Sequence, residues 1–114
     1  MLRGEVWLIN LEPTIGSEIR KTRPAVIVND DGVGALPLKV IVPITEWKER
    51  YTIASWLVRV LPSPDNGLDK PSAADAFQVR SVAQQRFVRR LGRLTDPQMG
   101  QIAQALATVL AIGP

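Results

Sequence analysis

Pro13-Thr14-Ile15-Gly16-Ser17-Glu18-Ile19-Arg20-Lys21-Thr22-Arg23-Pro24 lies between two apolar runs, Val6-Trp7-Leu8-Ile9-Asn10-Leu11 before it and Pro24-Ala25-Val26-Ile27-Val28 after it. Both runs read as strands. In the first, Val6 and Leu8 alternate with Trp7 and Ile9, so both faces are apolar and a strand covered on two sides is expected. The connector is longer than a tight hairpin needs. It carries Arg20, Lys21 and Arg23 against one acid, Glu18. Loops on a rigid sheet are where binding and catalytic groups concentrate. On charge alone this stretch reads equally well as a solvated basic loop.

Working outward, Gly16 allows a turn inside the loop, and Pro24 suits a strand start, where its missing N–H is tolerated. Asn29 to Gly34 is turn chemistry. Lys39 to Ile44 reads as a third strand ending at Thr45, with Pro43 pointing to an edge or a bulge. Ser55 to Val60 reads as a fourth, with Trp56, Val58 and Val60 on one face; Trp56 is expected in the core and Trp47 at the surface. Asp75 to Val82 reads as a fifth, with Gln78 and Arg80 on its polar face. A helical turn is expected over 83–86 and a sixth strand over 87–94, interrupted by Gly92 and three arginines. The last segment changes period. Asp96 reads as an N-cap with Pro97 at the first helical position. Met99, Ile102, Ala103, Leu106, Val109 and Leu110 then form one apolar stripe, with Gly113 as the stop. The expected fold is mainly β with a C-terminal helix: a small SH3-like antiparallel barrel of about six strands, one domain over residues 1–114.

The chain has no Cys and no His. That excludes a disulfide framework, a cysteine or histidine zinc site and any Ser-His-Asp or Cys-His nucleophile. Catalysis would rest on Arg, Lys, carboxylates or hydroxyls. A net charge of +3 permits a polyanionic partner without requiring one, so the placement of the charge matters more than its sum. The N-terminal residues have no signal-peptide apolar stretch, and no apolar run is long enough to span a bilayer; the expected location is the cytoplasm.

Three features can carry chemistry. Arg20, Lys21 and Arg23 offer cations, and Arg23 sits at the loop's exit beside Pro24, where a rigid strand start holds its backbone. Thr45 offers a hydroxyl at a strand end that could bond a phosphate oxygen, although on the residue alone a bond to local backbone is the favoured reading. Arg80, Arg86, Arg89, Arg90 and Arg93 occur with no acid among them, a pattern that fits a nucleic-acid footprint or a solvated face. Trp47 and Trp56 are candidate stacking surfaces for single-stranded bases.

The residues in combination are more specific. Arg3-Gly4-Glu5-Val6-Trp7, then Asn10 to Glu18, then Thr22-Arg23-Pro24-Ala25-Val26 resemble the MazF/PemK toxin family, as do Val42-Pro43-Ile44-Thr45 and Phe77-Gln78-Val79-Arg80-Ser81-Val82. The order and separations fit from end to end. The resemblance implies an endoribonuclease toxin, an mRNA interferase of a type II toxin–antitoxin pair, acting as a homodimer and held by a MazE-like antitoxin. It implies cleavage of single-stranded RNA without metal or other cofactor, giving a 2′,3′-cyclic phosphate and a 5′-hydroxyl. The family's catalytic Arg and Thr match Arg23 and Thr45. Its late-strand contacts match Gln78 and Arg80, with Ser81 next. Glu18, Arg20 and Lys21 lie in the loop that RNA and antitoxin contact.

Attack by the RNA's own 2′-hydroxyl needs chiefly charge stabilisation and in-line positioning, which suits a chain without histidine. Glu18 or water is the candidate acceptor for the 2′ proton. Three other readings are weighed against this one. They are a CcdB-like toxin that binds a topoisomerase and cuts nothing, a metal-dependent nuclease using Glu18, Asp30 and Asp31, and a plain RNA-binding module.

Overall fold

A computed structural model describes residues 1–34 and 36–113. Seven strands precede one helix: β1 Glu5–Asn10, β2 Thr22–Ile27, β3 Leu38–Glu46, β4 Leu57–Val60, β5 Ser72–Asp75, β6 Arg80–Ala83, β7 Phe87–Arg93 and α1 Asp96–Leu110. Short 3-10 turns occupy Glu49–Ile53, Ala76–Gln78 and Gln84–Arg86. All pairings are antiparallel, in the order β4-β5-β3-β2-β1-β7, with β6 also on β3.

Both faces of the central strands are buried, as the first apolar run predicts. Val6, Val26, Val42 and Ile44 join Val58, Val60 and the helix on one side. Ile9, Leu11, Ala25, Ile27, Ile41 and Val82 form the core on the other, with Trp7, Ile19 and Phe87 packed over it. The alternation is the strand period, with even-numbered residues of β2 and β3 in the first core and odd-numbered ones in the second.

The fifth predicted strand is two strands. Asp75 accepts a hydrogen bond from Phe77 N (3.1 Å), and this Asx turn starts the 3-10 turn Ala76–Gln78 between β5 and β6. The break lets β3 serve two partners. β6 pairs with it as far as Ile41, and β5 takes over from Ile44. The gap falls at Val42 and Pro43, where a proline has no N–H to contribute. Pro43 is therefore in a central strand, at a local interruption of its ladder.

The sheet does not close into the expected barrel. β4 and β7 are edges, and they do not pair among the described residues. A loop takes the place of that pairing, since Arg93 N donates to Asp65 O (2.8 Å). Buried Asn66 organises this loop by accepting from Ser63 N and Leu68 N and donating to Leu61 O. The loop presses so closely on β7 that a Cβ on Gly67 would meet Leu91 O at 2.2 Å, and one on Gly92 would meet Asp65 O at 2.2 Å.

The helix also departs from expectation at its ends. Thr95, not Asp96, is the N-cap, in a capping box with Gln98. Ala111, not Gly113, takes the left-handed stop (φ 55°), and Ile112 N bonds Ala107 O in the manner of a Schellman motif. Met99, Ile102 and Ala105 are buried with Leu106 and Val109 partly so, while Ala103 and Leu110 of the predicted stripe are exposed. The Trp expectations reverse: Trp56 is 40% exposed and Trp47 is half-buried.

Gly67→Ala is expected to destabilise the fold by about 2 kcal/mol or more, because positive φ (+68°) and backbone overlap act together. Urea unfolding measures it, and a change below measurement error would contradict the close approach. Ala111→Gly is expected to act oppositely. It removes the left-handed strain and raises stability by up to about 1 kcal/mol in the same assay.

Candidate active site

Arg23 stands on β2 and Thr45 on β3. Their register pairs Ile27 with Ile41, Val26 with Val42 and Ala25 with Pro43. Carried two residues further, it sets Arg23 opposite Thr45. No pairing continues that far: Thr45 pairs with Ala73 of β5, and Arg23 with Ile9 of β1. The strands part, and a cleft of about 470 Å³ opens between them. Arg23, Pro24, Thr45 and Glu46 line it, with Lys70 from the loop braced by Asn66 and Arg89, Arg90 and Leu91 from β7.

Three consecutive residues of β7 reach one cleft because the strand is irregular. Its pairing with β1 skips Leu91, between Gly92↔Val6 and Arg90↔Trp7, and skips Val88, between Arg89↔Leu8 and Phe87↔Ile9. Bulges of this kind re-aim side chains that would otherwise alternate.

The polar groups of Arg23 and Thr45 are left available. Arg23 Nε donates to Arg20 O (3.3 Å), and the terminal guanidinium nitrogens have no protein partner among the described residues. The Thr45 hydroxyl makes no hydrogen bond among the described residues, so the local-backbone reading of this Thr is not what the structure shows. Lys70 pairs with Glu46 at 3.7 Å and Arg90 with Glu5 at 3.7 Å, while Arg23 and Arg89 form no ion pair among the described residues. Burial raises the Glu5 pKa, but hydrogen bonds from Trp7 and Leu2 and the charges of the N-terminus and Arg90 outweigh it, so the carboxyl lies below its ordinary value. Glu5 therefore stabilises the fold near neutrality, and that contribution is lost as pH falls through its folded pKa.

The other predicted site residues do not share this cleft. Glu18, Gln78 and Arg80 line a neighbouring pocket of about 540 Å³ with Ser17, Ile19, Pro43, Phe77 and Val79. Arg20, Lys21 and Ser81 are exposed and line neither. The predicted site residues thus fall in two recesses, with Pro43 of β3 lining one and Thr45 the other.

The opening loop is clamped from several sides. Leu11 N donates to Lys21 O (3.0 Å), and Lys21 N to Glu12 Oε1 (2.8 Å), which holds Lys21 at a left-handed φ of 70°. Glu18 Oε1 accepts from Ile15 N (2.6 Å). Arg80 donates to Leu11 O (3.2 Å), and Arg86 donates to Asn10 O and Glu12 O. Gln78 is the clamp from across the pocket. Its Oε1 accepts from Ile19 N (2.5 Å), and its Nε2 donates to Asp75 Oδ2 (3.1 Å) and Ser17 O (3.4 Å).

Asp75 carried no signal in the sequence, yet it orients that amide. Burial pushes its pKa up, against hydrogen bonds from Phe77 N and from the side chain and backbone of Gln78. Lys70 was equally invisible; Arg89 lay within the arginine run. Asp30 Oδ1 accepts from Gly32 N (2.7 Å) within its turn, Asp31 Oδ1 accepts from Arg3 N (2.7 Å) and ties that turn to the N-terminal segment, and no group of three candidate ligands forms among the described residues.

A family model described as a PemK-like, MazF-like toxin of type II toxin-antitoxin system matches residues 2–110, and the chain belongs to that family. It is 32% identical to endoribonuclease MazF9 of Mycobacterium tuberculosis, over 93% of this chain and 92% of that one. It is 30% identical to endoribonuclease PemK of Escherichia coli, over 96% and 82%. Among solved structures, MazF (Form-I) from Deinococcus radiodurans shares its fold with a TM-score of 0.79 at 19% identity, covering 98% of this chain and 97% of that one. A mycobacterial endoribonuclease in complex with its cognate antitoxin does so with a TM-score of 0.78 at 22% identity, covering 100% and 98%.

Asp75→Asn is expected to free the opening loop. The new amide sets a donor against Gln78 Nε2, and turning Gln78 to meet it withdraws Oε1 from Ile19 N. Hydrogen exchange at the Ile19 amide reads this directly, and unchanged protection would refute the clamp. Because the folded-state pKa of Asp75 is raised, ionisation costs stability, and the wild type should gain relative to Asp75→Asn as pH falls through that pKa.

Proposed function

We propose that this chain is an endoribonuclease toxin, one domain over residues 1–114, that cuts single-stranded RNA such as mRNA at a short sequence without metal or other cofactor. The carrying observation is that a chain of this family sets Arg23 and Thr45 in one cleft, with guanidinium nitrogens and hydroxyl unspent.

The RNA's 2′-hydroxyl attacks the adjacent phosphorus. The P–O2′ bond forms and the P–O5′ bond breaks, giving a 2′,3′-cyclic phosphate and a 5′-hydroxyl. Arg23 stays protonated and offers a planar fork to the pentacoordinate phosphate, where negative charge builds up. Thr45 donates to a non-bridging oxygen. Water in the open cleft accepts the 2′ proton and supplies one to the departing 5′ oxygen, which Arg23 also hydrogen-bonds. Glu18, the other candidate base, lies in the neighbouring pocket with one oxygen held by Ile15 N.

Arg80, Ser81, Arg20 and Lys21 supply the surrounding RNA contacts with Glu18. Gln78 acts first by holding the loop that presents them. Exposed Val33, Leu36, Leu38 and Val40 support a homodimer, since they leave an apolar stretch that a second copy can cover. A MazE-like antitoxin would lay an acidic segment on the basic surface and compete with RNA. Among the described residues no helix is long and apolar enough to cross a membrane, and cytoplasmic mRNA is the proposed target.

Arg23→Ala is expected to slow cleavage about 10²–10³-fold, and Thr45→Ala less, in dimers that still fold. Chelator should change neither the wild-type rate nor the cyclic-phosphate ends mapped by sequencing. Full cleavage by either variant would overturn the assignment, and no cleavage of any RNA by the wild type would favour the topoisomerase-binding reading.

A further inference from the structure

The six aromatic side chains of this chain form three edge-to-face pairs. Trp7 with Phe87 and Trp47 with Tyr51 are half-buried. Trp56 and Phe77 differ: they are 40% and 67% exposed, with ring centroids 6.2 Å apart and planes at 65°. Large aromatic rings normally contribute by burial, and a held pair left open to water forgoes that gain.

Both rings stand on fixed backbone. Ala76 N donates to Trp56 O (3.0 Å), and Phe77 N to Asp75 Oδ1 (3.1 Å). Phe77 lines the pocket that also holds Glu18, Gln78 and Arg80, and it shares that pocket with Pro43. Two residues along β3, about 7 Å away, Thr45 lines the cleft with Arg23. That offset is comparable with one nucleotide step in an extended strand. The pocket's volume is within the range that takes a nucleoside-sized ligand.

We propose that Phe77, backed by Trp56, is a base-stacking subsite for the nucleotide next to the cleaved phosphodiester. An RNA base is favoured as occupant because the pocket that Phe77 lines is reached along β3 from the Arg23–Thr45 cleft, with Pro43 in one and Thr45 in the other, and has Arg80 in it to meet the strand's negative charge. A ring face accepts any base, so this subsite contributes affinity and register, and the polar groups around it contribute discrimination. The proposal rests on the RNA-cleaving reading. It adds a residue outside the Arg23–Thr45 pair, and it explains why the 3-10 turn between β5 and β6 carries an exposed phenyl ring.

The test begins by mapping the cleaved site with wild-type protein. That oligonucleotide is then made with a 2′-deoxy residue at the attacking position, so that it binds without being cut. Phe77→Ala is expected to weaken its binding about ten-fold or more. Phe77→Leu keeps apolar bulk without a π face and should weaken it nearly as much, whereas Phe77→Tyr should restore it. An abasic residue next to the scissile position should erase the difference between wild type and Phe77→Ala. Ile53→Ala, a neighbouring apolar residue that is 92% exposed, should bind RNA as wild type does.

Equal affinity of Phe77→Ala and wild type overturns the subsite. So does a loss that Ile53→Ala reproduces, or one that the abasic oligonucleotide leaves intact, since neither depends on a stacked base. Absence of cleavage by the wild type sinks the RNA-cleaving reading instead, and in that case binding of an unmodified single-stranded RNA pool still decides the subsite by the same variants.

Discussion

The site depends on one interruption in one strand. β3 changes partners at Val42 and Pro43, with β6 beside it before and β5 after. A residue without an N–H stands at the change, so the ladder loses least there. The β2–β3 ladder ends at Ala25 and Pro43, and beyond it Arg23 and Thr45 line one cleft. Had β2 and β3 stayed paired to their ends, the same register would have made these two side chains cross-strand neighbours.

The surroundings of the cleft are supplied from far along the chain and then locked. Gly67 and Gly92 let the loop after β4 meet β7 at distances that no side chain would permit. Asn66 meets that loop's buried polar needs with its own amide. On the opposite side, Gln78, oriented by Asp75, holds the opening loop by hydrogen bonds to its backbone, independent of which side chains that loop carries. Arg80 and Arg86 contribute in the same way, each donating to loop carbonyls. The arginines of the late strands therefore have two kinds of work. Arg80 and Arg86 are partly spent on structure, while Arg89 stands in the cleft with no ion-pair partner among the described residues.

Much of this was legible beforehand. Alternation in Val6 to Ile9 indicated a strand buried on both faces, and two cores sandwich the sheet there. The change of period after Thr95 marked the helix, though the cap is one residue earlier than Asp-Pro suggests because Thr95 and Gln98 satisfy each other. The predicted fifth strand failed for a local reason, since an aspartate side chain took the Phe77 amide that a strand would have paired. The same alternation predicts Trp56 in the core, but it precedes β4 and lies outside the pleat. Lys70 and Asp75 had no signal at all, because nothing in a linear sequence marks a lone charge that tertiary contact will bring to a cleft.

The sequence by itself determined the strand and helix periods, the antiparallel class, the absence of histidine and thiol chemistry, and the family pattern that singled out Arg23 and Thr45. Those properties are set by residue type and local spacing. Only the tertiary structure decided that the sheet stays open, that the two residues line one cleft, that Gln78 and Arg80 belong to the next pocket, and that one aromatic pair stands exposed with Phe77 lining that pocket. Those properties depend on strand register, on where a ladder breaks and on how closely distant backbones can approach, and such contacts form only when the chain is folded.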